Sequence, residues 1–155
     1  MFFKKNMVVM DYSIELDCDI EKFFKILTNY ENIPNYLPRQ LKKIEIVNET
    51  DNYKTIRATV FIRSLIKKEF LQTIKIEKKS ENNLFGEVLD GIAKGTQITI
   101  SILMQEGKTL CKVSTDIKLS LKTVILLPII KMEYKGFLSG IFNKIIADMK
   151  DKEAC

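Results

Sequence analysis

Side chains able to do chemistry are few in this sequence, and their spacing removes whole classes of reaction. There is no histidine. That excludes Ser-His-Asp and Cys-His nucleophile systems, histidine acid/base chemistry and His-ligated zinc or iron. Cys18, Cys111 and Cys155 are too far apart for a C-x-x-C pair, and an odd count makes no disulfide framework, so they read as reduced thiols. Glu69, Glu87 and Asp90 would matter as acids or bases if buried. Strand alternation puts Glu69 on a polar face and points Glu87 and Asp90 oppositely along one strand, so no carboxylate pair emerges. Arg57 and Arg63 share a solvated face, a poor place for a phosphate or carboxylate clamp. Tyr30, Tyr36 and Tyr134 are amphipathic, and each either packs its ring or lines a pocket mouth. Gln72 and Thr115 are the more telling polar residues, because alternation sets both among apolar neighbours. A buried polar group needs a partner. For these two it is either another protein group or the carbonyl or hydroxyl of a ligand. No catalytic residues, metal ligands or cofactor-binding set are expected.

The elements that would position these residues follow from hydrophobic period. Met7 to Leu16 alternates as a strand. Asp17-Cys18-Asp19 supplies N-cap oxygens for a helix over Ile20 to Asn29, whose Ile20, Phe23, Phe24, Ile26 and Leu27 form one buried face. Tyr30 to Leu37 reads as a second short helix or turn, closed by Pro38. From Leu41 to Leu121 the period becomes 2, broken by turn clusters at Asn48 to Asn52, Ser64-Leu65, Ser80 to Asn83, Gly91 to Gly95 and Glu106 to Lys108. Six runs rich in Ile, Val, Thr and Phe lie between them, a meander of hairpins. Ile56, Ala58, Val60 and Ile62 share one face, as do Ile66, Phe70, Gln72, Ile74 and Ile76 on the next strand. Ile98, Ile100, Ile102 and Met104 follow, then Cys111, Val113, Thr115, Ile117 and Leu119. Helical period returns from about Thr123 to Lys150, with a break or start near Pro128. The Gly136 and Gly140 pair reads as close approach of this helix to the sheet, or as room for a ligand. This order predicts an α+β fold: a curved antiparallel sheet of about seven strands, two short helices, and a long C-terminal helix across the concave face, enclosing a cavity.

The chain has 155 residues, 46% apolar and 29% charged, as expected for one globular domain over residues 1–155. Its 25 basic and 20 acidic side chains leave a net charge of +5. The lysines are dispersed rather than interleaved with exposed aromatics, so no specific nucleic-acid partner is expected. A transient contact with anionic membrane headgroups is consistent with the charge, and Phe2-Phe3-Lys4-Lys5 would help it. The apolar stretch from Met7 to Met10 is too short for a signal peptide, and no run approaches the roughly 20 residues of a membrane span. The expected location is the cytoplasm.

The stretch Ser13-Ile14-Glu15-Leu16-Asp17-Cys18-Asp19-Ile20-Glu21-Lys22-Phe23-Phe24, followed by Tyr30 to Pro38, resembles the opening of START-like helix-grip proteins. Within that superfamily, which includes Bet v 1-like proteins, it is most similar to the polyketide cyclase/dehydrase and coenzyme Q-binding branch. Ala93-Lys94-Gly95-Thr96 and the single long C-terminal helix also fit, while Asp19 stands where a proline is common. The resemblance implies a cavity between sheet and helix that holds a lipid, an isoprenoid quinone or a polyketide. It carries no catalytic motif onto this chain. The one-sided strands point the same way, since one helix stripe cannot fill a wide apolar concave face. Large side chains or a ligand must do so. The candidate lining is Ile56, Ala58, Val60, Phe70, Gln72 and Ile74 from the middle strands, Ile100, Val113, Thr115 and Ile117 from the later ones, and Met132 and Phe137 from the helix. The expected function is binding, with possible transport or chaperoning, of a hydrophobic small molecule by a monomer or weak homodimer. The alternatives are a polyketide cyclase or aromatase, which needs an ionisable group in the cavity, and a ribosome-associated interaction protein.

Overall fold

A computed structural model describes residues 7–17, 19–36, 39–62 and 68–151. Several expectations fall on residues outside these: Phe2 to Lys5, Cys18, Leu37, Pro38, the break at Ser64-Leu65 with Arg63 and Ile66, and Cys155. The first strand, β1, spans Met7–Leu16. Helix α1 (Ile20–Leu27) follows, and the Asp19 carboxylate accepts from the amides of Glu21 at 2.9 Å and Lys22 at 3.3 Å. Those are the donors a helix start leaves without partners. The helix ends two residues before the expected Asn29, because Thr28 closes it. Both the amide and the hydroxyl of Thr28 donate to the Phe24 carbonyl, each at 2.9 Å. A 3-10 helix over Tyr30–Tyr36 then carries Pro34 and buries Ile33.

Six further strands follow: β2 (Leu41–Glu49), β3 (Tyr53–Ile62), β4 (Lys68–Ser80), β5 (Asn83–Val88), β6 (Gln97–Gln105) and β7 (Lys108–Lys118). They form the expected meander of antiparallel neighbours, and β1 joins its far side by pairing with β7. Register shifts at Leu41/Lys43 and Ile46/Asn48 in β2, and at Lys78/Ser80 in β4, mark bulges that bend and twist a sheet. Two turns show why their residues are there. Glu106 and Gly107 both have positive φ, 53° and 77°, as a tight β6–β7 hairpin demands. At Gly91 φ is 87°, and a Cβ would stand 2.9 Å from the Leu71 carbonyl oxygen, so only glycine fits. Strand β5 stops at Val88, which places Asp90 in the following loop and not on the strand with Glu87. There it accepts from the amide and hydroxyl of Thr73 at 2.8 and 2.9 Å.

After a 3-10 turn at Val124–Leu126, helix α2 runs from Leu127 to Asp151. Pro128 lies in its first turn, where a missing amide hydrogen costs nothing. The 25 residues span about 37 Å at roughly 1.5 Å each. Gly136 does not serve close approach: it is exposed, and a Cβ there would meet nothing within 4 Å. The far half of α2 interlocks with α1. Phe142, Ile145 and Met149 are buried with Phe23, Phe24 and Leu27, and the Phe142 ring lies 5.8 Å from that of Tyr12 and 5.9 Å from that of Phe23.

Cys111 is wholly buried in this core, and burial pushes its thiol pKa up to about 12. Folding therefore favours the neutral thiol. Its contribution is intact below the ordinary thiol value and is lost as pH rises from about 9 towards 12. In a Cys18→Ser/Cys155→Ser background, Cys111 is expected to resist Ellman's reagent at pH 8 until urea unfolds the chain. The urea midpoint should also fall more steeply above pH 9 than it does when Cys111 is replaced by alanine.

Candidate functional site

The register assembles one face of the sheet from alternate residues. Ile56 lies opposite Ile74, Ala58 opposite Gln72 and Val60 opposite Phe70. Ile100 lies between Leu84 and Val113, and Ile98 between Gly86 and Thr115. The sheet carboxylates occupy the other face or the strand ends: Asp11 and Asp116 border Ser114 and Val9, Glu45 faces Arg57, Glu69 faces Phe61 and Glu87 faces Lys75.

The expected lining residues separate by burial. Ile56, Ala58, Phe70, Val113, Thr115 and Ile117 are buried, packed as core. Val60, Gln72, Ile74, Ile100 and Phe137 keep partial access. Met132, at 64% exposed, belongs to the outside of α2. Ile76 and Ile98 join the partly accessible group, and Gly86 lies between them without a side chain. The pattern has a physical meaning. Strands β4, β5 and β6 are at the middle of the sheet, where an apolar face under a helix should be the driest region. Leu84 and Val88 of β5 are indeed buried, but Ile74 and Ile76 of β4 and Ile98 and Ile100 of β6 are only half-buried. These four isoleucines pack against the core cluster while keeping partial access. Ile98 shares the alternation of Ile100 and was legible from it. Gly86 had no signal, because a pattern of side chains is silent where there is none.

Two polar groups enter this region in different states. The Thr115 hydroxyl lies 2.9 Å from the Tyr134 hydroxyl, which donates onward to the Met10 carbonyl at 3.2 Å. This chain ties α2 to β7 and β1. Burial, first among its causes, raises the Tyr134 pKa and keeps the phenol protonated. Gln72 differs: its Oε1 is buried without a hydrogen-bond partner. A buried acceptor without a partner is costly. Tyr36 and Tyr30 are elsewhere. The Tyr36 hydroxyl donates to Asp148 at 3.1 Å, and Tyr30 lies beside the β2–β3 turn under Lys54, its phenol pushed up to about 12 by burial.

Two clefts of about 640 and 660 Å³ are lined by residues other than these four isoleucines. One, between α1 and the β4–β5 turn, is bordered by Glu21, Lys25, Lys78 and Glu81. The other lies along β1, β6 and β7, with Asp11, Ser13, Thr99, Ser101, Lys112 and Ser114, and takes in Lys135 of α2. The first presents mostly charged and polar side chains, a poor match to an apolar ligand, whereas the second mixes polar side chains with Tyr12, Leu103 and Val113. Among the described residues there is no group of three His, Cys, Asp or Glu able to hold a metal, and no helix is long and apolar enough to cross a membrane.

No family model matches the sequence, and no curated protein is similar to it in sequence. Solved structures are similar in shape. A START superfamily protein from Mycobacterium smegmatis superposes with a TM-score of 0.72 at 15% identity, covering 88% of this chain and 96% of that one. The Zhui aromatase/cyclase from a Streptomyces species gives 0.73 at 12% identity over 93% and 94%. A major latex-like protein from Panax ginseng gives 0.67 at 13% identity over 92% and 97%. The seven-stranded sheet gripping one long helix, matched over about nine-tenths of the chain by these structures, is the START/Bet v 1 helix-grip fold, and this chain has it.

Proposed function

We propose that this chain binds a neutral hydrophobic small molecule, a lipid or isoprenoid quinone in its hydroxylated form, between the centre of the sheet and α2. The carrying observation is the incomplete burial of Ile74, Ile76, Ile98 and Ile100 on the middle strands. Apolar burial at roughly 25 cal/mol per Å² would supply the affinity. The open Gln72 oxygen supports a ligand with a hydroxyl or phenol donor, and the placement of the carboxylates on the other face supports a neutral one. The cyclase reading is less favoured, because Tyr134, an ionisable group beside the apolar face, is already engaged with Thr115 and Met10. A cytoplasmic carrier is the role that fits best.

Native mass spectrometry of the purified protein, followed by organic extraction, tests this reading directly. A co-purifying neutral lipid or quinol supports it. A bare mass, with no thermal shift from fatty alcohols, quinols or polyketides, overturns it. Gln72→Leu provides a sharper discrimination. It is expected to weaken a hydroxylated ligand about tenfold, the worth of one buried hydrogen bond, while leaving the hydrocarbon analogue unchanged. Thermal stability of the unliganded variant should stay level or rise, because an unsatisfied acceptor is removed.

A further inference from the structure

We propose that the β7–α2 turn and the first two turns of α2 form a docking surface for an anionic membrane. Leu121 is 83% exposed, Ile125 76% and Met132 64%. Ile125, Pro128 and Met132 recur at i, i+3 and i+7, so they share one stripe, and all are exposed. This stripe is not the one that packs the helix down. Leu127 and Ile130 do that, against Ala93, Ile117 and Leu119. The beginning of α2 is thus apolar on two sides, and one faces solvent. Lys122, Lys131 and Lys135 border it, all exposed, and Glu133 is the sole acid between Leu121 and Lys135.

Charge selects the occupant. A second copy packed symmetrically on this stripe would bring the same three lysines together. A bilayer with anionic headgroups matches both parts, taking the apolar tips at the headgroup boundary and the ammonium groups at the phosphates. The position suits such a role. α1 plugs one end of the sheet with Phe23, Phe24 and Leu27, whereas the stripe lies at the opposite end, where the Thr123 hydroxyl reaches the Ile92 carbonyl of the β5–β6 loop at 3.5 Å. The surface rests on these side chains and not on the cargo reading. It is measured with no ligand present, so failure of one leaves the other standing.

The chain has no tryptophan, which makes Ile125→Trp a single optical reporter. Its emission is expected to shift to the blue with vesicles of phosphatidylcholine and phosphatidylglycerol, and to stay put with phosphatidylcholine alone. In co-sedimentation, Lys122→Glu/Lys131→Glu should lower binding at least about tenfold, since each basic residue near a charged surface contributes roughly fivefold. Leu121→Ser/Ile125→Ser should also release the protein, whereas Val9→Ser and Met104→Ser, exposed elsewhere, should not. Circular dichroism and melting confirm that each variant folds. An unshifted reporter, equal binding to both vesicle types, or a wild-type dimer that the serine variant converts to monomer in sedimentation velocity would each overturn the proposal.

Discussion

Gly86→Leu is expected to reduce binding of the hydrophobic ligand about a hundredfold, close to 2.7 kcal/mol, while the fold survives. Gly86 is buried on the concave side of β5, opposite Ile76 on one flank and Ile98 on the other. A Cβ there would make ordinary contacts, 3.5 Å to Ile74 and 3.9 Å to Ile76. The backbone tolerates the substitution, because Gly86 is absent from the positive-φ residues. Only the rest of the leucine side chain asks for room, and it would extend among the half-buried Ile74, Ile76 and Ile98, where the ligand is proposed to lie. Overpacking costs about 1–3 kcal/mol where no space exists. A loss of affinity with a melting temperature within a few degrees of wild type therefore identifies this region as the binding site. Unchanged affinity in isothermal titration would place the ligand elsewhere.

The largest effect on stability should come from Phe142→Ala. This side chain is 2% exposed and is held between Tyr12 of β1 and Phe23 of α1. Removing a buried phenylalanine costs about 3–5 kcal/mol, the lost transfer energy plus the cavity left behind. For a chain of this size that lowers the melting temperature by about 10 °C. Urea unfolding should show a lower midpoint with an unchanged slope, since the same surface is exposed. The surface ion pairs offer a contrast. Lys43–Glu45 and Lys108–Glu15, at 3.6 and 3.8 Å with side chains about half exposed or more, should each change stability by less than about 1 kcal/mol when broken.

Much of the architecture was legible because it depends on period. Alternation through Ile98, Ile100 and Ile102 needs no knowledge of partners to define a face, and Asp19 announces a helix start by its side-chain oxygen alone. Met132 shows the limit. It lies in a helix apolar on two sides, where a 3.6-residue period cannot say which side faces the sheet. Gly136 failed for a related reason: a glycine reports that bulk is absent, not whether a neighbour required it. Thr115 and Gln72 looked equivalent in sequence, each a polar residue in an apolar run. Their difference is tertiary, because α2 brings Tyr134 to one and nothing to the other. Asp90 was misplaced by one turn, as β5 ends where Gly91 must bend the chain past Leu71.

The pairing of β1 with β7 sets an order of events on the ribosome. Met7 lies opposite Lys118, about 110 residues further along. At roughly 5–20 residues per second, β1 leaves the exit tunnel on the order of 5–20 s before its partner strand. Each of β3 to β7 has its predecessor to pair with as it emerges, but β1 has no strand to join until the meander is nearly complete. Its alternating apolar side chains must meanwhile be shielded by α1 or by a chaperone. Closure of this one long-range ladder then creates the edge on which α2 settles, so the proposed binding region becomes usable only when the last helix has been made.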